Sequence, residues 1–412
     1  SVRAMTFKLS SGLLVCIVAW IISQRIRGED YTPTRSWMFI GTCTVALFCL
    51  QKLLNRNAEQ LEKLARISWE HSTAPLNFIA LDNVPELPPW LSEQLPWRRK
   101  MAKIGGLDIH YIDHGPDEDD VPVILLIHGD PCWCYTWRRV ISKLHTTRCR
   151  IIAPDLYGYG LSGKPDFVEH FGLLPENQTR VLVNLLRNVA PKCKKLVVVG
   201  HGWGGVIAGS VARRTATQIN GVVISNAAIC TPRAEKQRVL PLCRLAHTWV
   251  LGSLLFRGFN LTVRCMNRVV APGHRLDADC LRAYRWPHGV WPWSGWSTRT
   301  ASLALARCMP WTEFPAVHGS PVALKDCIDW ANRFGMPCVL VWGTQDPLVG
   351  RSVKRVEDAF TYSGSRVDRV EVDVGHFVPE EAPAHIVDAI HSILEEASLI
   401  HSTVSKEMDH LD

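Results

Sequence analysis

Six strand candidates punctuate the chain, at residues 121–127, 150–153, 195–199, 221–225, 337–342 and 366–372, most of them short apolar runs. A continuous apolar run of four to eight residues suits a strand buried on both faces. Stretches of mixed polarity, long enough for helices, lie between them. Strands alternating with helices predict an α/β fold with a mostly parallel, doubly wound sheet. In such a sheet the reactive side chains gather at the carboxyl ends of the strands.

The amino end is patterned differently. Residues 9–24 and 36–51 each form a 16-residue run without a charge, slightly below the roughly 17–25 residues of a membrane span. Lys8, Arg25, Arg35 and Lys52 bound the runs and can extend them by snorkelling. Trp20 and Trp37 lie toward the intervening loop, where an interfacial belt belongs. The pattern predicts a transmembrane helical hairpin; an apolar helix pair packed on the main domain is the alternative. The loop carries Arg25, Arg27 and Arg35, and the outer flanks carry Arg3, Lys8, Lys52, Arg56, Lys63 and Arg66. The positive-inside tendency then puts both termini and the main domain on the cytoplasmic or matrix face. Residues 55–72 space Leu61, Leu64, Ile67 and Trp69 as an amphipathic helix, and Pro75, Pro85, Pro88, Pro89 and Pro96 mark an extended linker. The expected organisation is a membrane anchor at 1–54, helix and linker at 55–100, a core at 101–229 and 329–400, an inserted helical cap at 230–328, and a tail at 401–412.

Composition narrows the classes. At 412 residues the chain exceeds what one hydrophobic core usually organises, which leaves room for anchor and cap. The net charge of +7 is spread out with no basic strip. That argues against nucleic acid and toward anionic lipid or acidic partners. Fourteen cysteines show no Cys-x-x-Cys pair, and Cys132 and Cys134 have no companion at zinc-ligand spacing. No metal and no cofactor are expected, and the thiols read as reduced and structural. Asn177 and Asn260 head glycosylation sequons. No acid precedes Glu29, as in a processed mitochondrial precursor. The expected location is the mitochondrial inner membrane with the main domain in the matrix, or alternatively the cytosolic face of the endoplasmic reticulum.

Five motifs carry the chemistry. His128-Gly-Asp-Pro131 leads into Cys132–Trp137. Ala153-Pro-Asp-Leu-Tyr-Gly-Tyr-Gly-Leu-Ser-Gly-Lys-Pro165 follows the next apolar run. Lys195-Leu-Val-Val-Val-Gly-His-Gly-Trp-Gly-Gly205 reads as strand, tight turn and helix start. Trp342-Gly-Thr-Gln-Asp-Pro347 and Val374-Gly-His-Phe-Val-Pro-Glu-Glu381 come last. The third is a nucleophile-elbow pattern, in which the middle residue is thrust from a strained turn and small neighbours let strand and helix approach. That middle residue is Gly202, which has no side chain.

From about Leu107 to Glu396 this ordered set resembles an α/β-hydrolase, most closely the haloalkane dehalogenase branch, with epoxide hydrolases next. The resemblance implies a carboxylate at the Gly202 position that forms an alkyl ester, His376 as the base that activates water, and Asp346 as the acid that orients it. It also implies oxyanion donors from the backbone N–H groups of Asp130 and Trp203, and an indole halide donor in Trp203. Trp249 is the candidate for a second donor, from the cap. The indole-rich stretch 284–296 suits cap packing and partner contact, or else a ligand cavity. Gly tolerates positive φ at little cost, so a chain released from catalysis gains stability by losing the nucleophile. The expected function is therefore that of a catalytically degenerate dehalogenase-like pseudoenzyme. It would be anchored in the bilayer as an accessory subunit among integral membrane proteins. The alternative is an enzyme without a covalent intermediate, using the His376/Asp346 dyad as general base. A third option is a cavity that holds an apolar ligand without reaction.

Overall fold

The computed structural model describes residues 75–165, 170–227, 245–246, 249–289, 295–296, 298–308, 336–361 and 366–408. The anticipated hairpin and amphipathic helix, at 1–72, lie outside these residues. Among the described residues no helix is long and apolar enough to cross a membrane.

Nine strands form one sheet: β1 (Phe78–Leu81), β2 (Arg99–Ile104), β3 (Leu107–His114), β4 (Val123–Ile127), β5 (Arg150–Pro154), β6 (Leu196–His201), β7 (Ile219–Ser225), β8 (Cys338–Gly343) and β9 (Val367–Val372). Their order across the sheet is β1-β2-β3-β5-β4-β6-β7-β8-β9. Every pairing from β5 to β9 is parallel, and each of the six strand candidates is one of these strands. The chain winds from β4 to β5 on one side and then crosses to β6 on the other. The carboxyl ends of β4 and β6, paired at Ile127↔Gly200, thus sit where the winding reverses, the place such sheets hold their ligands.

The sequence reading missed three strands. β1, β2 and β3 pair antiparallel with one another, and β3 pairs antiparallel with β5. The sheet therefore begins at Phe78, inside the stretch expected to be linker, and Pro89–Ser92 there forms one turn of helix. Pro at the first helical position explains the turn, because its missing N–H would have no partner there anyway. At the other end the helix Pro383–Met408 runs on through most of the anticipated tail.

The inner strands are apolar because both faces are covered. β4, β6 and β8 are buried at every position. Helices Pro175–Val189 and Trp203–Arg214 are among the covering elements, with Pro383–Met408. β9, by contrast, alternates between half-buried and exposed residues, as an edge strand does. Within the anticipated cap the described parts are short helices, including Leu261–Arg264, Ala278–Arg285 and Thr300–Cys308.

A buried ion pair ties part of the cap to the core. Arg138, on the helix after the β4 turn, bonds the Glu380 carboxylate, and Tyr284 of the cap helix donates to the same oxygen. Arg139 Nη1 adds a 2.8 Å bond to the Glu380 carbonyl. Burial works against the charge on Arg138, but Glu380 outweighs it and holds the guanidinium more firmly protonated than usual. Arg138→Met should lower unfolding free energy by about 3–5 kcal/mol, because Glu380 keeps its charge without that partner. Arg138→Met with Glu380→Leu should recover most of the loss; denaturant melts of both variants check this.

Candidate active site

The elbow keeps its backbone and lacks its side chain. Gly202 precedes the helix Trp203–Arg214 with φ 58° and ψ −124°, a conformation that costs a residue with a Cβ about 1–3 kcal/mol. Its N–H donates to Ser225 O at 3.0 Å, and its carbonyl accepts from Gly205 N–H at 3.1 Å. The helix crowds the sheet so closely that a Cβ on Gly204 would lie 2.1 Å from Ile127 O. Around Gly202 itself there is room. Among the described residues beyond its chain neighbours, a Cβ there would meet only Gly129 Cα at 3.7 Å and His376 Nε2 at 3.8 Å.

His376 is brought to that space by the turn after β9, where its N–H donates to Val269 O at 2.7 Å. Its Nδ1 lies 2.8 Å from Asp346 Oδ2. An ionised carboxylate only accepts, so His376 Nδ1 donates this bond and Nε2 is the ring nitrogen turned toward the gap. Asp346 is braced in turn. Asn226 Nδ2 donates to Oδ2 at 2.6 Å and Leu348 N–H to Oδ1 at 2.7 Å. Burial pushes Asp346 upward, but His376 and these donors outweigh it and hold the carboxyl below its ordinary value. Asn226 takes a positive φ of 40° while its Oδ1 accepts from Gly343 N–H at 2.8 Å. His201, just before the elbow, packs its ring 5.0 Å from that of His376. Burial first, and the His376 charge second, keep it neutral.

The β4 turn closes the other side. Asp130 precedes a cis proline, and a Cβ on the neighbouring Gly129 would come within 3.1 Å of Trp203 N. The expected oxyanion positions thus face each other across the gap. The Asp130 side chain, which the sequence reading passed over, is in the site as well. Its Oδ1 accepts from Tyr159 OH at 2.9 Å and from Ser302 Oγ of the cap helix. Its Oδ2 bonds no described residue, and the residue keeps accessible surface. Burial raises the carboxyl to about 6, against the pull of Ser302, Tyr159 and His376. The carboxyl is thus set deep beside the elbow without being sealed off by the described residues.

Other expected participants are less engaged. Trp203 is half-buried at the first position of its helix, whereas the side chain of Trp249 lies outside the described residues. In the indole-rich stretch, Trp286 packs on the core cluster and Arg257 lies 4.8 Å over the Trp296 ring, which is packing. Cys132 and Cys134 are fully buried, and burial pushes both thiols well up, so neither replaces the lost nucleophile. A buried trio unread from the sequence, His110, Cys134 and Asp155, gathers ligand-type atoms within 4.8 Å. Asp155 is already committed there, to His110 Nδ1 at 2.9 Å and to the Cys134 and Leu161 N–H groups. The trio is a closed structural knot.

A braced His–Asp pair beside a strand–turn–helix elbow, on this sheet order, has clear relatives. The sequence model of the alpha/beta hydrolase family matches residues 124–389. The chain belongs to that family. A haloalkane dehalogenase 2 from Mycobacterium bovis is 36% identical over 296 residues, which cover 68% of this chain and 90% of that protein. A cis-3-alkyl-4-alkyloxetan-2-one decarboxylase from Shewanella oneidensis is 27% identical over 317 residues, or 76% of this chain and 94% of the relative. Among solved structures, haloalkane dehalogenase DbeA from Bradyrhizobium elkani superposes with a TM-score of 0.60. It covers 78% of this chain and 99% of its own, at 22% identity, a likeness of fold. This hydrolase-family protein therefore has the dehalogenase-like scaffold the motifs predicted.

Proposed function

We propose that this protein is a hydrolase-family enzyme that works without an ester intermediate. His376, aimed by Asp346, acts as general base on a water or a bound substrate in the space beside Gly202. The carrying observation is that space: His376 Nε2 stands 3.8 Å from where a side chain at 202 would begin, and among the described residues beyond the chain neighbours only Gly129 Cα is closer. Asn226 strengthens the reading. It holds an unfavourable backbone conformation while bracing Asp346, and strain of that kind gathers at functional sites. The dyad geometry supports placing the enzyme first, whereas the sequence alone favours the pseudoenzyme. The named relatives are a haloalkane dehalogenase and an alkyl oxetan-2-one decarboxylase, and haloalkanes and strained oxygen rings are the substrate classes proposed here. Purified protein offered an oxetan-2-one, an epoxide and a haloalkane should turn over at least one. Inertness toward all three would contradict the reading.

The second reading is the non-catalytic one: a membrane-anchored accessory subunit, in the mitochondrial inner membrane with its main domain facing the matrix. The observation favouring it is the pair of uncharged runs with basic ends at 9–24 and 36–51. Native gel migration from the protein's own membranes separates the two, since a subunit runs with integral membrane partners and an enzyme need not.

A further inference from the structure

We propose that Asp130 is the proton donor of this site, and that it suits the protein to substrates whose leaving group is a ring oxygen rather than a halide. The inference rests on His376 acting as the base. Three groups face one gap. His376 Nε2 is an acceptor on one side, the empty Gly202 position lies between, and the Gly129–Asp130 turn forms the far wall. Tyr159 and Ser302 hold one Asp130 oxygen and leave the other without a bond to any described residue, on a side chain that is only half-buried. Among the described residues, the titratable groups coupled to Asp130 are Tyr159, His376 and the buried thiol of Cys132.

The chemistry of the leaving group decides the class. A halide departs as a stable anion and needs no proton, and an ionised carboxyl beside the gap would repel it. An alkoxide leaving from a strained ring is a strong base and departs far more readily when protonated in the transition state. The proposed step on an epoxide balances as follows. His376 Nε2 takes a proton from water in the gap, and the water oxygen bonds to the ring carbon. That carbon–oxygen bond breaks, its electron pair stays on the ring oxygen, and the Asp130 carboxyl delivers the proton to it. The product is a diol. Solvent returns the His376 proton to Asp130, so the net reaction is epoxide plus water. On an oxetan-2-one the activated water adds to the carbonyl carbon, and when the tetrahedral adduct collapses the acyl–oxygen bond breaks and Asp130 protonates the departing ring alkoxide, giving a hydroxy acid.

Burial raises Asp130 to about 6, so the acid form is lost as pH rises through that value and ring opening should fall with it. The experiment compares wild type, Asp130→Asn, Ser302→Ala and His376→Ala on an epoxide, a dialkyl oxetan-2-one and a haloalkane of equal chain length. Asp130→Asn still accepts from Tyr159 and Ser302 but carries no acid proton. Its kcat for ring opening should fall about 10²–10⁴-fold, with KM little changed and the alkaline limb gone. Ser302→Ala removes a donor that stabilises the ionised form, so its alkaline limb should move to higher pH. That shift tests the proposal even if Asp130→Asn fails to fold. Ring opening that survives Asp130→Asn but not His376→Ala would overturn the proton donor and leave the base intact. An unmoved limb in Ser302→Ala, or turnover of the haloalkane alone, would overturn it too. A wild type inert to every substrate would overturn base and donor together.

Discussion

Gly202→Asp is expected to turn this protein into one that takes an alkyl group from a haloalkane or an epoxide. The seat is already shaped for it. The backbone at 202 has the elbow conformation, and the nearest atoms to a new Cβ are at ordinary contact distance, 3.7 and 3.8 Å. Deleting the nucleophile of a serine protease costs about 10⁶-fold in turnover, which sets the scale of gain available on restoring one. Two effects oppose it. A Cβ at positive φ costs about 1–3 kcal/mol, so the variant should melt a little lower. The new carboxylate also sits near Asp130, and two acids sharing a site raise one another's pKa. On a haloalkane, whose leaving group needs no proton, Gly202→Asp with Asp130→Asn should therefore alkylate faster than Gly202→Asp alone. Halide release and intact mass follow both variants.

His376→Ala should abolish whatever turnover the wild type shows, by about 10²–10⁴-fold, the usual contribution of a positioned base. The fold should survive, since Asp346 retains Asn226 and the Leu348 N–H as partners. Its stability should nevertheless become less sensitive to acid. The Asp346 carboxyl is held below its ordinary value, chiefly against burial by His376. A depressed carboxyl contributes stability above its unfolded value of about 3.9, and that contribution disappears as pH falls through the lower folded value. Without His376 the depression shrinks, and so does the acid-dependent part of the melt. Paired thermal melts at about pH 7 and about pH 2 measure it.

Much of this architecture could be read from the chain because its parallel strands are covered on both faces. Unbroken Val, Ile and Leu in β4, β6 and β8 announce burial without any partner being known. β3 hides the same burial behind Leu-Asp-Ile-His-Tyr-Ile-Asp-His. Its Asp113 is paid for by Arg150, 37 residues away, through bonds of 2.8 and 3.0 Å, which no local pattern reveals. β1 is short and partly exposed, as an edge strand is, and carries little signal. The site divides along the same line. Gly202, Asp346 and His376 lie in turns whose local chemistry is distinctive. Asn226 and Ser302 acquire meaning only through Asp346 and Asp130, at separations of 120 and 172 residues. Asp130 was visible as a turn residue, yet its carboxyl became informative only once Tyr159, Ser302 and His376 were placed around it.

The central claim is that the protein builds no covalent bond to its substrate. Intact-protein mass spectrometry of the His376→Ala protein, after incubation with excess epoxide or haloalkane, tests it most directly, because any ester formed would then persist. The account predicts an unchanged mass. One added alkyl group per chain, on any carboxylate, would contradict it.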